Sequence, residues 1–262
     1  MAETYYFLHI PKAAGSTFCF SVLPKLFDPA EICPAHDYPE ILSIPPAEIP
    51  RFRLFRGHFY YFFHRLLPAK PVYLTFLRDP IERTLSLYDY ICREARHFQY
   101  DAMRSLKDGL RDTVGLPELL PPNFQVTALA CDLDPVRTMA EARASHPRGL
   151  DEYSVIYGEM TKRLPTRDDL ATARRRLEDM EFVGIAERFD ESVRLLCGTF
   201  GWAVPEYESM NVAPARTRRD QIPPDVLDAL MRAHELDYEL YEFAKSLFAK
   251  RLSRMKVTPA AD

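Results

Sequence analysis

Residues 71–95 read PVYLTFLRDPIERTLSLYDYICREA. The first seven have the strongest strand composition in the chain, since β-branched, aromatic and apolar side chains suit a buried pleated surface. Arg-Asp-Pro then punctuates the run, and from Ile81 the apolar residues recur at helical intervals. The stretch is a strand, a loop and a helix. YYFLHI (5–10) repeats the plan: Pro11 ends the strand as a ladder member, a turn of Lys, Ala, Ala, Gly, Ser and Thr follows, and Ser16 is placed to cap a helix beginning near Thr17. RFRLF (51–55) is expected to give a third strand ending at Gly57, and FVGI (182–185) a short fourth. Repeated strand-to-helix alternation predicts an α/β fold, a mostly parallel central sheet covered by helices on both faces. Ligands of such sheets lie beyond the C-terminal ends of the strands, where both punctuated loops fall.

The remaining helices are expected at FYYFFHRLL (59–67), Asn123–Ala130, from Thr166 to about Met180, at FDESVRLLCGTF (189–200) with Asp190 as cap, and over PPDVLDALMRAHELDYELYEFAKSLF (223–248). Residues 203–224 read as irregular and partly basic. The 262 residues are expected to form a single domain, 1–262, whose final dozen residues are loose. No internal repeat is visible.

Composition narrows the function classes. The net charge of −4 gives no global attraction to nucleic acid or to an anionic membrane surface, although a local basic cleft is compatible with it. Five widely spaced cysteines without a CxxC pair argue against a disulfide framework or a structural zinc site. No run approaches about 18 apolar residues, and MAETYYFLHIPK lacks the basic start and long apolar core of a signal peptide. A soluble, cytoplasmic protein without a membrane span is the expectation.

The turn at Lys12, Ala13, Ala14, Gly15, Ser16 and Thr17 can point backbone N–H groups and two hydroxyls at an anion beside a mobile ammonium. A simple tight turn with an exposed lysine and a capping serine reads the same residues. The spacing is not GxxxxGK[ST], which weighs against an ordinary ATPase or kinase. In the second loop Arg78 follows the strand and Ser86 lies in the helix one turn beyond Arg83, so the two can hold one phosphate from two directions. A surface Arg78 paired with Asp79 or Glu82 is the plainer alternative.

Together HIPKAAGST (9–17) and FLRDPIERTLSLYDY (76–90) resemble the 5'-phosphosulfate and 3'-phosphate signatures of sulfotransferases that use 3'-phosphoadenosine 5'-phosphosulfate, PAPS. The nearest likeness is to glycan O-sulfotransferases and their bacterial relatives. It extends to RGHF (56–59), NFQVTAL (123–129), FVGIAERFDES (182–192) and, more loosely, MNVAPARTRR (210–219) and DYELYEFA (237–244). The resemblance implies a P-loop-like three-layer sandwich. It also implies that Lys12, with Ala13, Ala14, Gly15, Ser16 and Thr17, cradles the 5'-phosphosulfate, and that Arg78 and Ser86 bind the 3'-phosphate. Ala13 and Ala14 depart from the Thr-Gly pair common in the family. The late basic segment resembles one that closes over the nucleotide, which makes Arg216, Arg218 and Arg219 candidate phosphate ligands.

Sulfuryl transfer needs a base for the acceptor hydroxyl and positive charge on the leaving phosphate. RGHF resembles the Gly-His segment that carries the base, so His58 is the candidate base and Lys12 stabilises the leaving group, with PAP as product. His9, inside the first strand, reads as a core or supporting histidine, and His64 as part of a packed aromatic run. Asn123 and Gln125 are candidates for orienting an acceptor hydroxyl or a donor phosphate, against ordinary helix capping. At least two of Tyr60, Tyr61, Phe62 and Phe63 must pack away from any cleft. No metal-ligand constellation emerges, and Lys and His chemistry does not require one. The implied partner is a hydroxyl-bearing small molecule or glycan. An atypical nucleotide kinase and a non-catalytic nucleotide- or glycan-binding protein are the alternatives.

Overall fold

The computed structural model describes residues 3–114, 116–145, 152–210 and 216–257. Four strands, β1 (Tyr5–Leu8), β2 (Leu54–Gly57), β3 (Val72–Leu77) and β4 (Phe182–Ile185), form an all-parallel sheet in the order β2-β1-β3-β4. β1 pairs with both β2 and β3, so the chain leaves it to one side and later returns to the other. That makes the crevice between the ends of β1 and β3 the switch point, where ligands of open parallel sheets bind.

Alternation along the strands builds two apolar faces. On one, Phe7 and Phe76 meet Phe18 at 4.7 and 4.9 Å, and Phe76 meets Phe182 and Phe189 at 5.4 Å each. On the other, Tyr6 packs on Phe63 and Tyr73 at 4.8 and 5.5 Å. The rings come from strands and from the segments that cover them, so the sandwich has three layers, as its sequence predicts.

The helices follow in order. α1 (Gly15–Thr17) runs on into a wide turn over Phe18–Val22 and a tight one over Leu23–Lys25, where Pro24 supplies no N–H to a regular ladder. α2 (Tyr38–Ser43) lies between β1 and β2, and α3 (Pro80–Arg93) follows β3. α4 (Tyr100–Arg104), α5 (Leu110–Thr113), α6 (Phe124–Ala130), α7 (Pro135–Ser145), α8 (Glu152–Thr161) and α9 (Arg167–Asp179) lead to β4. α10 (Phe189–Phe200), α11 (Pro224–Ala233) and α12 (Glu235–Val257) complete the chain.

Several local expectations are corrected. The N-cap of α1 is Ala14 in the left-handed region, not Ser16, which sits inside the first turn. Arg188, not Asp190, occupies the N-cap position of α10, without a side-chain cap, and Asp190 lies in the first turn, where its charge suits the helix dipole. The aromatic run 59–67 yields only a 3-10 helix, Tyr61–Leu66, because Tyr60 takes φ 57 and breaks the path from His58. The last dozen residues begin as helix: α12 continues to Val257, anchored by Arg251, which donates to Glu178 O at 3.1 Å in the last turn of α9 and to Met180 O at 2.7 Å just after it. Residues 258–262 lie outside the described chain.

Candidate active site

Three strand ends carry the site. β1 runs through His9 into a loop in which Lys12 and Ala14 both take positive φ, 68 and 61. Such a conformation costs a non-glycine residue about 1–2 kcal/mol, so the surrounding packing must impose it. Ala13, buried between them, donates its N–H to Ile10 O at 3.2 Å. Its amide is thus turned inward and is unavailable to an anion, contrary to expectation. Gly15 N–H and Ser16 N–H open the first turn of α1 with no capping side chain. Thr17 is also engaged: its Oγ1 accepts from Met210 N at 3.0 Å, tying the segment after Trp202 to the loop.

Gly57 ends β2 and places His58. A side chain at Gly57 would fall 2.3 Å from His36 O, and that close carbonyl accepts from His58 N at 2.9 Å. His58 Nδ1 lies 3.0 Å from His9 O. A carbonyl can only accept, so Nδ1 carries the proton and Nε2 keeps the lone pair. Burial, then the neighbouring His36 and Lys12, lower the His58 pKa to about 4 although the His9 carbonyl opposes them. The imidazole is neutral near neutral pH, in the tautomer a base requires.

Arg78 leaves β3 at the switch point. Its Nη1 donates to Lys12 O at 3.0 Å, joining the two loops directly. Asp79 does not pair with it, because that carboxylate caps α3 by accepting from Ile81 N and Glu82 N at 2.9 and 3.0 Å. Glu82 and Glu187 each make a long ion pair with Arg78 at 3.8 Å, so the plainer pairing with Glu82 is present as well. From Glu82, residues 86, 89, 90 and 93 follow at helical spacing along one face of α3. Glu82 holds Arg216 at 2.8 Å, Asp89 holds the Thr217 hydroxyl at 2.6 Å, and Tyr90 lies beneath the Lys12 ammonium at 4.2 Å. Ser86 shares this face. Burial first, then the cations Arg93 and Arg78, push the Lys12 pKa down to about 8, against the opposite pull of Asp89. Positive charge thus exceeds its local balance around Lys12. Sequence reading missed Tyr90, Arg93 and Glu187; the three-and-four spacing from Ser86 was the available signal for the first two.

Asn123 and Gln125 take a different place from the one expected. Gln125 is fully buried, accepts from Arg78 N at 3.0 Å and donates to Arg78 O at 2.9 Å, clamping the main chain of that residue. Asn123, at φ 55, turns its side chain to α12, where Oδ1 accepts from Asp237 N at 2.9 Å. Asp237 returns the contact by accepting from Val126 N at 2.8 Å and Gln125 N at 3.2 Å at the start of α6. His234 accepts from Asn123 N at 3.2 Å, and its Nε2 lies 3.2 Å from the Thr84 hydroxyl in α3. Both side chains are engaged by the fold, Gln125 with the main chain of Arg78 and Asn123 with α12 and Ala233 O. His58 also borders a narrow hollow with Asp37, Tyr38, Pro39, Tyr60, Ile156 and Tyr157. Phe62 and Phe63 pack in the core, as the spacing requires.

Of the late arginines, Arg216 reaches the α3 face, Arg218 pairs with Asp220 at 3.1 Å, and Arg219 lies 4.0 Å from Asp79. Residues 211–215 of the same segment lie outside the described chain. Among the described residues no group of three or more His, Cys, Asp or Glu side chains is placed to hold a metal ion, and no helix is long and apolar enough to cross a membrane.

No family model matches the chain. Individual proteins do: galactose-3-O-sulfotransferase 3 of Bos taurus is 27% identical over 244 residues, 90% of this chain and 48% of the relative. Heparan-sulfate 6-O-sulfotransferase 1 of Homo sapiens is 27% identical over 191 residues, 70% of this chain and 45% of the relative. A protein-tyrosine sulfotransferase of Arabidopsis thaliana is 32% identical over 99 residues, 37% of this chain and 19% of the relative. The resemblance is to sulfotransferases. Along most of its length it is to those named for glycans, and the chain spans about half the length or less of the relatives it matches.

Proposed function

We propose that the protein transfers a sulfuryl group from PAPS to a carbohydrate hydroxyl, with His58 as base and Lys12 stabilising the leaving phosphate. The observation that carries this is the 3.0 Å bond from Arg78 to the Lys12 carbonyl, which makes two anion grips one site at the β1/β3 crevice. A doubly phosphorylated adenosine donor fits the chemistry of the residues present. Burial and mutual repulsion among Lys12, Arg78 and Arg93 are relieved by a polyanion. Lys12, Gly15, Ser16 and Thr17 would hold the 5'-phosphosulfate, Arg78 and Ser86 the 3'-phosphate, and Arg216 and Arg218 are further candidates from the segment beside α3. The bound donor supplies a sulfuryl group whose bond to the phosphate oxygen breaks as its bond to the acceptor oxygen forms.

His58 Nε2, with its lone pair free by virtue of the Nδ1 bond, takes the hydroxyl proton as attack develops. Lys12 brings positive charge to the phosphate oxygen that gains it. The narrow hollow that His58 borders with Tyr60, Tyr157 and Asp37 holds no more than about a water, so the acceptor hydroxyl would approach the base from its mouth. The names of the relatives make galactosyl and heparan-type glycans the first acceptors to try.

Calorimetry with PAP, and with ATP and Mg²⁺ as the competing ligand, is paired with transfer of label from radioactive PAPS onto a glycan panel. Binding of PAP in preference to ATP, with labelled glycan formed, is expected. A folded protein that ignores PAP sinks the proposal, and preference for ATP with Mg²⁺ indicates a kinase.

A further inference from the structure

We infer that His9 is a positioning residue that locks the base His58 to the anion loop; the inference rests on the sulfuryl-transfer reading. The His9 ring stacks on His58 with centroids 4.3 Å apart at 26°, and also on Phe7 at 5.6 Å and 20°. Its edge fills the space a Gly15 side chain would occupy: a Cβ there would fall 1.8 Å from His9 Nε2 and 2.1 Å from Cδ2. One imidazole therefore touches the loop on its edge and the base on its face. The main chain of the same residue fixes His58 again, since His9 O accepts from His58 Nδ1 at 3.0 Å while His9 N donates to Gly57 O at 3.2 Å.

The division of labour follows. The carbonyl selects the tautomer of His58, and the ring sets its plane and its distance from the loop. A ring wedged between two parts cannot let one move without the other in a close-packed interior. The glycine at position 15 is thus explained by the histidine at position 9, not only by the approach of an anion. The other histidines do not share this role. His64 is held by Tyr61 O and the Tyr73 hydroxyl at 2.9 and 3.0 Å. His36 acts on His58 through its carbonyl, with its own ring against Phe20 at 5.5 Å.

The test compares wild type, His9→Ala, Gly15→Ala and the double variant. His9→Ala is expected to lower kcat by about tenfold or more while PAP affinity stays within about threefold. Gly15→Ala, which must displace the ring, is expected to lower kcat too, but to add less than about twofold to His9→Ala, because the methyl group enters space the ring has left. Single losses that multiply in the double variant overturn the inference, as does a His9→Ala turnover within about twofold of wild type. Should His9→Ala not fold, His9→Asn is read against the same limits. The imidazole nitrogen-15 spectrum of His58 needs no turnover: the Nδ1–H tautomer is expected in wild type and, because the His9 carbonyl remains, in His9→Ala too, while the resonances shift and broaden as the unstacked ring gains freedom; resonances unchanged in position and width overturn the lock. A wild type that binds PAP yet sulfates no acceptor, with that spectral change present, counts against the sulfuryl-transfer proposal and not against the lock.

Discussion

At the scale of single residues the site is a set of charges held away from their usual ionisation. His58 titrates at about 4 because burial disfavours imidazolium and both His36 and Lys12 add positive potential; Lys12 titrates at about 8 because it is buried beside Arg93 and Arg78. On the proposed reading His58 acts as base when deprotonated, so kcat/KM is expected to rise through the lower value as pH increases. The ammonium is needed when protonated, so activity falls through the upper one. A bell with limbs near 4 and 8 is expected in the pH profile of kcat/KM, and Lys12→Arg should remove the alkaline limb. A limb that survives in Lys12→Arg assigns it to another group. His58→Gln should lower kcat by about 10²–10⁴-fold, the usual worth of general-base catalysis, with PAP affinity in calorimetry nearly unchanged. The placement of both residues just beyond strand ends was legible in the sequence through HIPK and RGHF. What could not be read was the exclusion of Ala13, whose amide returns to Ile10, because only the paired positive φ values at Lys12 and Ala14 turn it inward.

At the scale of elements, the strand-loop-helix units were plain because their periods are strong and proline or glycine marks each end. Asn123 and Gln125 were misplaced for a physical reason: their partners, Asp237 and the main chain of Arg78, come from other elements, and no local pattern announces a cap donated across the fold. Their function is mechanical. α6 presents Gln125 to the exit of β3, and α12 holds α6 by its first turn. Gln125→Leu leaves both main-chain groups of Arg78 without their clamp, so a loss of about 1–3 kcal/mol in denaturant unfolding is expected, together with weaker PAP binding. Gln125→Leu with wild-type PAP affinity would show that Arg78 is positioned without it. Asp79→Ala should cost about 1 kcal/mol through the lost cap of α3, read in the same unfolding experiment.

For the whole molecule, buried imidazoles govern the response to acid. His58 and His234 are lowered to about 4 and about 3, and His9 well below the ordinary value, each chiefly by burial. Below about pH 6.5 the unfolded chain takes up protons that the folded chain refuses, so stability falls as pH drops toward those values. Asp237 opposes this: burial raises it to about 6, so the folded chain protonates it first. Three imidazoles outweigh one carboxyl, and each net proton steepens the loss by about 1.4 kcal/mol per pH unit. The thermal midpoint is expected to decline from pH 7 to 4.5 and to decline less in His234→Gln; a flat midpoint would contradict the assignment. Asn123 and Asp237 each close the start of the other's helix, so residues more than a hundred positions apart are tied together. Anyone trimming or fusing this protein should therefore place the carboxyl-terminal border beyond α12, since a shorter fragment would lose the hold on α6, and through Gln125 on Arg78, along with the helix.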